Sequence, residues 1–190
     1  MKILILDNYD SFTYNLVHYL NEMVDEPVDV IRNDKISLEE IDKYTHILLS
    51  PGPGVPDEAG IMKDLIQTYG ETKSIFGVCL GMQAIGEIYG GTLVNLDKVY
   101  HGLSLPATVI SKEDITFRGI PQKFQVGRYH SWVIHTNNFP DVLEITAVDD
   151  EGRVMALRHK EFNVRGVQFH PESILTEYGK KMLENWLFNS

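Results

Sequence analysis

With one cysteine, Cys79, among 190 residues, the chain has no partner for an internal disulfide and no set of thiolates for a structural zinc or an iron–sulfur cluster. None of the seven histidines pairs with another one helical turn away, so no close metal-ligand spacing replaces the missing thiols. Basic residues are scarce as well. The count is 17 Lys plus Arg against 27 Asp plus Glu, a formal charge of −10 with no basic run, which argues against a general nucleic-acid surface. Long apolar runs are missing: Ile3–Leu6 is too short for a signal-peptide core or a membrane span, so a soluble, cytoplasmic protein without a membrane partner is expected. There is no repeat, low-complexity tract or Gly/Ser linker. The length suits a single domain over 1–190 with a substantial core.

What is present is an alternation of short apolar runs and helical patterns. Ile3 to Leu6 reads as a strand, and Phe12, Leu16, Tyr19, Leu20 and Met23 recur at helical spacing after it. Val28–Ile31, Ile47–Leu49 and Ile75–Val78 read as further strands. A capping box at Ser37–Glu40, the apolar set Ile61, Leu65 and Ile66, and a helix through Met82, Ile85 and Tyr89 that stops at Gly90-Gly91 lie between or after them. That order predicts an α/β fold with an open, mainly parallel, buried sheet flanked by helices. The second half changes texture, with strand candidates at Leu105–Ile110, Phe124–Tyr129, Leu143–Val148, Val154–Leu157 and Val164–Phe169 and a turn over Asp149–Gly152. A closing helix through Tyr178, Met182, Leu183, Trp186 and Leu187 follows. An antiparallel extension joined to the parallel core is expected there.

Three segments carry chemistry. Gly77-Val78-Cys79-Leu80-Gly81 ends a strand and opens a helix, the place where a strained turn holds a nucleophile outward. Flanking glycines allow the reversal and leave room for a substrate, and a helix N-terminus favours the thiolate. A lone cysteine is otherwise a packed strand-end residue. Its base must come from elsewhere, and Gly166-Val167-Gln168-Phe169-His170-Pro171-Glu172-Ser173 offers one. Pro171 keeps His170 out of helical geometry, and in an extended segment His170 and Glu172 point to the same side, so His170 can move the proton while Glu172 fixes its tautomer. Alone, that tripeptide reads as a surface loop. Ser50-Pro51-Gly52-Pro53-Gly54 follows the third strand and reads either as a Pro/Gly turn or as an oxyanion loop, with Gly52 N–H and Leu80 N–H as the two donors.

Together these segments resemble the class I, or triad, glutamine amidotransferases, which combine a G-x-C-x-G elbow, an H-P-E segment and a P-G-P-G loop. The resemblance runs nearly the whole chain, through Asp7–Asn15, Gly127–Ser131 and Gly166–Tyr178, and within the family it is nearest to the amidotransferase subunits of anthranilate synthase and 4-amino-4-deoxychorismate synthase. It implies the flavodoxin-like fold of that family, Cys79 as nucleophile, His170 as base and Glu172 as its orienting acid. It also implies glutamine held by Gly52, Gly54, Leu80, Gln83, Ser131 and Trp132, and no cofactor in this subunit. Glutamine would be hydrolysed through a glutamyl thioester, and the ammonia passed to a larger chorismate-binding synthase in a heteromer. Either pathway, or one amidotransferase shared by both, fits the same chemistry. A different class of reading is a redox-sensing or binding module built on Cys79, which leaves the Pro/Gly loop unexplained.

Three places depart from the family pattern: Met82 where His is common, Trp132 where a smaller aliphatic residue is common, and Leu103-Ser104-Leu105 after His101-Gly102, which is less polar than the usual run. The remaining histidines invite plain readings. His18, His46 and His159 suit packing or surface roles, and the spacing assigns His101 and His130 no proton transfer. Asp10-Ser11 reads as a helix cap, and Tyr178 and Trp186 as closing-helix packing.

Overall fold

The computed structural model describes residues 1–189. β1 (Ile3–Asp7) is buried on both faces because its alternate residues serve two cores. Ile3 and Ile5 enter one with Leu48, Phe76 and Val78, whereas Leu4 and Leu6 enter the other with Ile47, Leu49 and Ile75. That alternation continues through β3 (His46–Leu49) and β4 (Ser74–Val78). Helices α1 (Thr13–Asn21) and α5 (Gly179–Asn189) cover the first face with Leu16, Leu20, Met182, Leu183 and the fully buried Trp186. Helices α2 (Leu38–Ile41), α3 (Met62–Tyr69) and α4 (Leu80–Ile88) cover the second with Ile41, Leu65, Ile66, Ala84 and Ile85.

The other strands are β2 (Asp29–Arg32), β5 (Leu93–Asn95), β6 (Leu103–Val109), β7 (Lys123–Arg128), β8 (Trp132–Ile134), β9 (Leu143–Val148), β10 (Val154–His159) and β11 (Val164–Val167). Among the described residues, nine of the eleven strands form one sheet in the order β2-β1-β3-β4-β11-β10-β9-β6-β7. Pairing is parallel from β2 to β11 and antiparallel from β11 to β7, so the expected extension grows from the edge of the parallel core. β11, late in the chain, inserts at the seam beside β4, with Gly166 opposite Gly77 and Val167 opposite Val78. The carboxyl ends of β4 and β11 therefore lie side by side, at the edge where open α/β sheets bind ligands.

Local signals hold where they are strong. Ser37 and Glu40 make the reciprocal capping box, and α4 ends with Gly90 N–H on Glu87 C=O (3.0 Å) and Gly91 N–H on Gly86 C=O (2.8 Å), a Schellman ending with Gly90 at φ +102°. Two expectations shift, and one element is new. Phe12, not Asp10 or Ser11, is the N-cap of α1, and no side chain caps it; the Asp10 carboxylate accepts the Phe12 N–H (2.7 Å) and turns the chain just before the helix. Tyr178 stands before α5 at φ +61° and is 45% exposed, so its ring meets Phe124 at the surface edge instead of packing inside the helix. A two-stranded ribbon of β5 and β8, absent from the sequence reading, carries Trp132 across from Asn95.

Candidate active site

Cys79 is the N-cap of α4 at φ 52°, ψ −101°, a conformation that strains any residue with a Cβ. Neither flanking glycine has a positive φ; they allow the reversal through close packing instead. A Cβ on Gly77 would stand 2.5 Å from the Gly81 carbonyl carbon and 2.6 Å from Met82 N, and a Cβ on Gly81 2.6 Å from Leu49 O. Gly166, opposite Gly77, has Met82 Cβ 2.9 Å from its own Cβ position. The paired glycines of β4 and β11 thus make a dent in which the first turn of α4 sits, and the low seat of that helix forces the sharp reversal at Cys79. Met82 is fully buried in this dent and faces the sheet, so its departure from the family pattern is one of core packing.

His170 reaches the elbow from the end of β11. The segment after it turns instead of running extended: Ser173 N–H donates to His170 C=O (3.2 Å), and His170 Nδ1 and Glu172 Oε1 meet within the turn at 2.7 Å. Gly127 anchors the turn, accepting His170 N–H at its carbonyl (3.0 Å) and donating its own N–H to Thr176 Oγ1 (2.9 Å). A Cβ there would lie 2.8 Å from Ser173 Oγ. The rings of Tyr129 (4.8 Å) and Phe12 (5.7 Å) pack on the imidazole. Both His170 and Glu172 are buried.

Burial works against a charged imidazole here, yet the Cys79 sulfur and the Glu172 carboxylate outweigh it and push the His170 pKa up to about 10. His170 is therefore an imidazolium at neutral pH, with Glu172 holding Nδ1–H and Nε2, free of any directed hydrogen bond, left for the sulfur side. A cysteine beside an imidazolium at a helix start suits nucleophilic attack.

Gly52, Gly54, Cys79, Gln83, Ser131 and Trp132 line one cavity of about 280 Å³, closed further by Tyr100, His101 and Tyr129. Six predicted residues are thus brought together. Leu80 is not in that wall, nor are His170 and Glu172. Leu80 opens α4, so its N–H has no acceptor within the helix, and its Cδ2 lies 2.9 Å from the Cβ position of Gly52. The Pro/Gly loop consequently abuts the elbow. Asn8 fixes it from below, donating Nδ2–H to Ser50 C=O (2.8 Å) and its backbone N–H to Ser50 Oγ (2.9 Å), while Asn33 donates to Asn8 Oδ1 (3.0 Å).

Sequence reasoning missed a second group of buried polar residues. Arg128 pairs with Asp149 (2.8 Å), lies over the Tyr100 ring (3.8 Å) and donates Nε–H to His130 Nε2 (3.0 Å). That leaves Nδ1–H of His130 to donate to the Trp132 carbonyl (3.0 Å). Burial first and the Arg128 guanidinium second hold the His130 pKa down at about 3, so this ring stays neutral and fixes the cavity wall without moving protons. Gln168, fully buried, donates Nε2–H to Cys79 Sγ (3.5 Å) and accepts from Gln83 Nε2 (3.2 Å). Its place in the segment containing His170 was the one available signal. Among the described residues no three His, Cys, Asp or Glu side chains converge as metal ligands, and no helix is long and apolar enough to cross a membrane.

The chain matches the family model "Glutamine amidotransferase class-I" over residues 4–190. It is 45% identical over 193 residues to "Anthranilate synthase component 2" of Pseudomonas aeruginosa, covering 97% of this chain and 94% of that protein. It is 44% identical over 189 residues to "Bifunctional protein TrpGD" of Thermotoga maritima, covering 98% of this chain; the chain spans only 32% of that longer relative. Among solved structures, a protein of Thermoplasma acidophilum described as a candidate component of GMP synthase superposes with a TM-score of 0.87 at 28% identity, covering 98% of this chain and 92% of the other.

Proposed function

The chain belongs to the class-I glutamine amidotransferases, and from that premise we propose that it is the glutaminase subunit of an anthranilate synthase, hydrolysing the side-chain amide of glutamine at Cys79 and handing the ammonia to a chorismate-using synthase subunit. The observation that carries the chemistry is the buried Cys79, His170 and Glu172 set beside a cavity of about 280 Å³. The Cys79 thiolate attacks the amide carbon, and the oxyanion that forms is received by Gly52 N–H and Leu80 N–H. His170 gives its proton to the departing nitrogen, which leaves as ammonia, and a glutamyl thioester remains on Cys79. Water then attacks the thioester with His170 as base, and the sulfur leaves as glutamate forms. Glu172 keeps the imidazole oriented throughout. Gly54, Gln83, Ser131 and the Trp132 segment hold the rest of glutamine, and no cofactor is needed in this subunit.

The partner half of the proposal rests on the Pseudomonas relative, which is named as a component of anthranilate synthase and matches this chain nearly end to end. The additional activity of the longer Thermotoga protein is not carried over, and tryptophan biosynthesis in the cytoplasm is the setting proposed. The test supplies amide-15N glutamine and chorismate to the purified chain with a chorismate-using synthase. Label in anthranilate supports the proposal, label in 4-amino-4-deoxychorismate reassigns the pathway, and glutamate release with no labelled aromatic product removes the ammonia-delivery role.

A further inference from the structure

Gln168 has no place in the triad, yet its side chain is fully buried and touches the sulfur. Its orientation is dictated from a distance. The Trp132 carbonyl can only accept, so Gln83 must turn its amide nitrogen toward it (3.0 Å). The same nitrogen offers its second hydrogen to Gln168 (3.2 Å), which must therefore present Oε1 and turn Nε2–H toward Cys79 Sγ (3.5 Å). His130, donating to the same Trp132 carbonyl, holds the starting point of this chain of donors in place (3.0 Å). Each bond fixes the polarity of the next, and the end of the series is a donor aimed at sulfur.

We propose that Gln168 is a further catalytic residue, the hydrogen-bond donor to the Cys79 sulfur, with its direction set by the Trp132 carbonyl through Gln83. A thiolate accepts but cannot donate, and a hydrogen bond to an ionised acceptor is about twice as strong as one between neutral groups. Gln168 thus favours the sulfur as an anion at both points where it carries charge. The first is the resting nucleophile; the second is deacylation, when the bond between Cys79 Sγ and the glutamyl carbon breaks and the electron pair returns to sulfur. The relay also ties the nucleophile to Gln83 in the cavity wall.

The inference rests on the reading of Cys79 as nucleophile, and its test needs no glutamine. The rate of Cys79 alkylation by iodoacetamide is followed across pH for the wild type and for Gln168→Met, which keeps the volume and removes the donor. The expected result is a profile displaced toward alkaline pH, with alkylation about tenfold slower on its acidic limb. An unchanged profile in a folded variant overturns the proposal. Should Gln168→Met not fold, Gln83→Met releases the constraint on Gln168, and several-fold slower alkylation is expected; an unchanged rate overturns the relay. Glutamate release from glutamine by the wild type in complex with a chorismate-using synthase is measured alongside. Its absence with a displaced alkylation profile refutes the amidotransferase reading and leaves the donor role, whereas normal release with no displacement refutes the donor role alone.

Discussion

Replacing Cys79 by glycine should stabilise the fold relative to replacing it by alanine, although both changes remove the nucleophile. Alanine keeps the Cβ at φ 52°, ψ −101°, and a residue held in such a region costs about 1–3 kcal/mol. Glycine relieves that strain and is the better of the two at a helix N-cap, which this position is. Against it stand about 0.5–1 kcal/mol for glycine's freedom in the unfolded chain and part of the roughly 0.8 kcal/mol for a buried carbon. The balance leaves about 1 kcal/mol in favour of glycine, or about 2–4 °C in melting temperature for a chain of this size. Thermal unfolding of the two purified variants under one buffer condition reads the difference. A Cys79→Gly variant that melts at or below Cys79→Ala would refute the idea that the elbow is strained by the seat of α4.

Four other outcomes are expected. The kcat/KM profile for glutamine should fall on the alkaline side near pH 10, where His170 loses its proton, and Glu172→Gln should move that limb to lower pH by removing one of the groups that raise it. By the same sign, charged His170 stabilises the fold fully below its ordinary pKa of 6.5, and that contribution disappears as pH rises through about 10; pH-dependent urea unfolding of wild type against Glu172→Gln checks it. Gly77→Ala places a methyl 2.5 Å from backbone that has nowhere to move and should cost about 1–3 kcal/mol, read as a lower urea midpoint. Arg128→Ala leaves the buried Asp149 carboxylate with the Glu151 and Arg153 N–H donors and, as its one charged partner, the longer Arg153 contact (3.4 Å), and should cost about 3 kcal/mol in the same assay.

Features legible in the sequence were those whose signal is local. The apolar run of β1, the Ser37 capping box, the Gly90-Gly91 stop and the elbow around Cys79 each depend on residues within a few positions of one another. The meeting of Cys79, His170 and Glu172 was legible because these residues sit in two compact motifs. What stayed hidden depends on long-range contact. Gln83 and Gln168 are 85 residues apart and meet only because β11 inserts beside β4. Asp149 looked like a turn residue, and it is one, accepting the Glu151 N–H (3.0 Å), but its other oxygen holds the buried Arg128 21 residues away. β5 and β8 have three residues each, too few for alternation to show. The glycines of the elbow were recognised as necessary for the reversal, but the way they permit it stayed hidden, because helix seating is a property of two strands and a helix together.

The role of Cys79 is read out by glutamate release from glutamine in the complex of this chain with a chorismate-using synthase, wild type against Cys79→Ser. Release should fall to background in Cys79→Ser while the complex still assembles and still makes its aromatic product from added ammonium. Release retained at the wild-type rate in Cys79→Ser would contradict that role, because no other side chain in this site could then be the thioester-forming nucleophile.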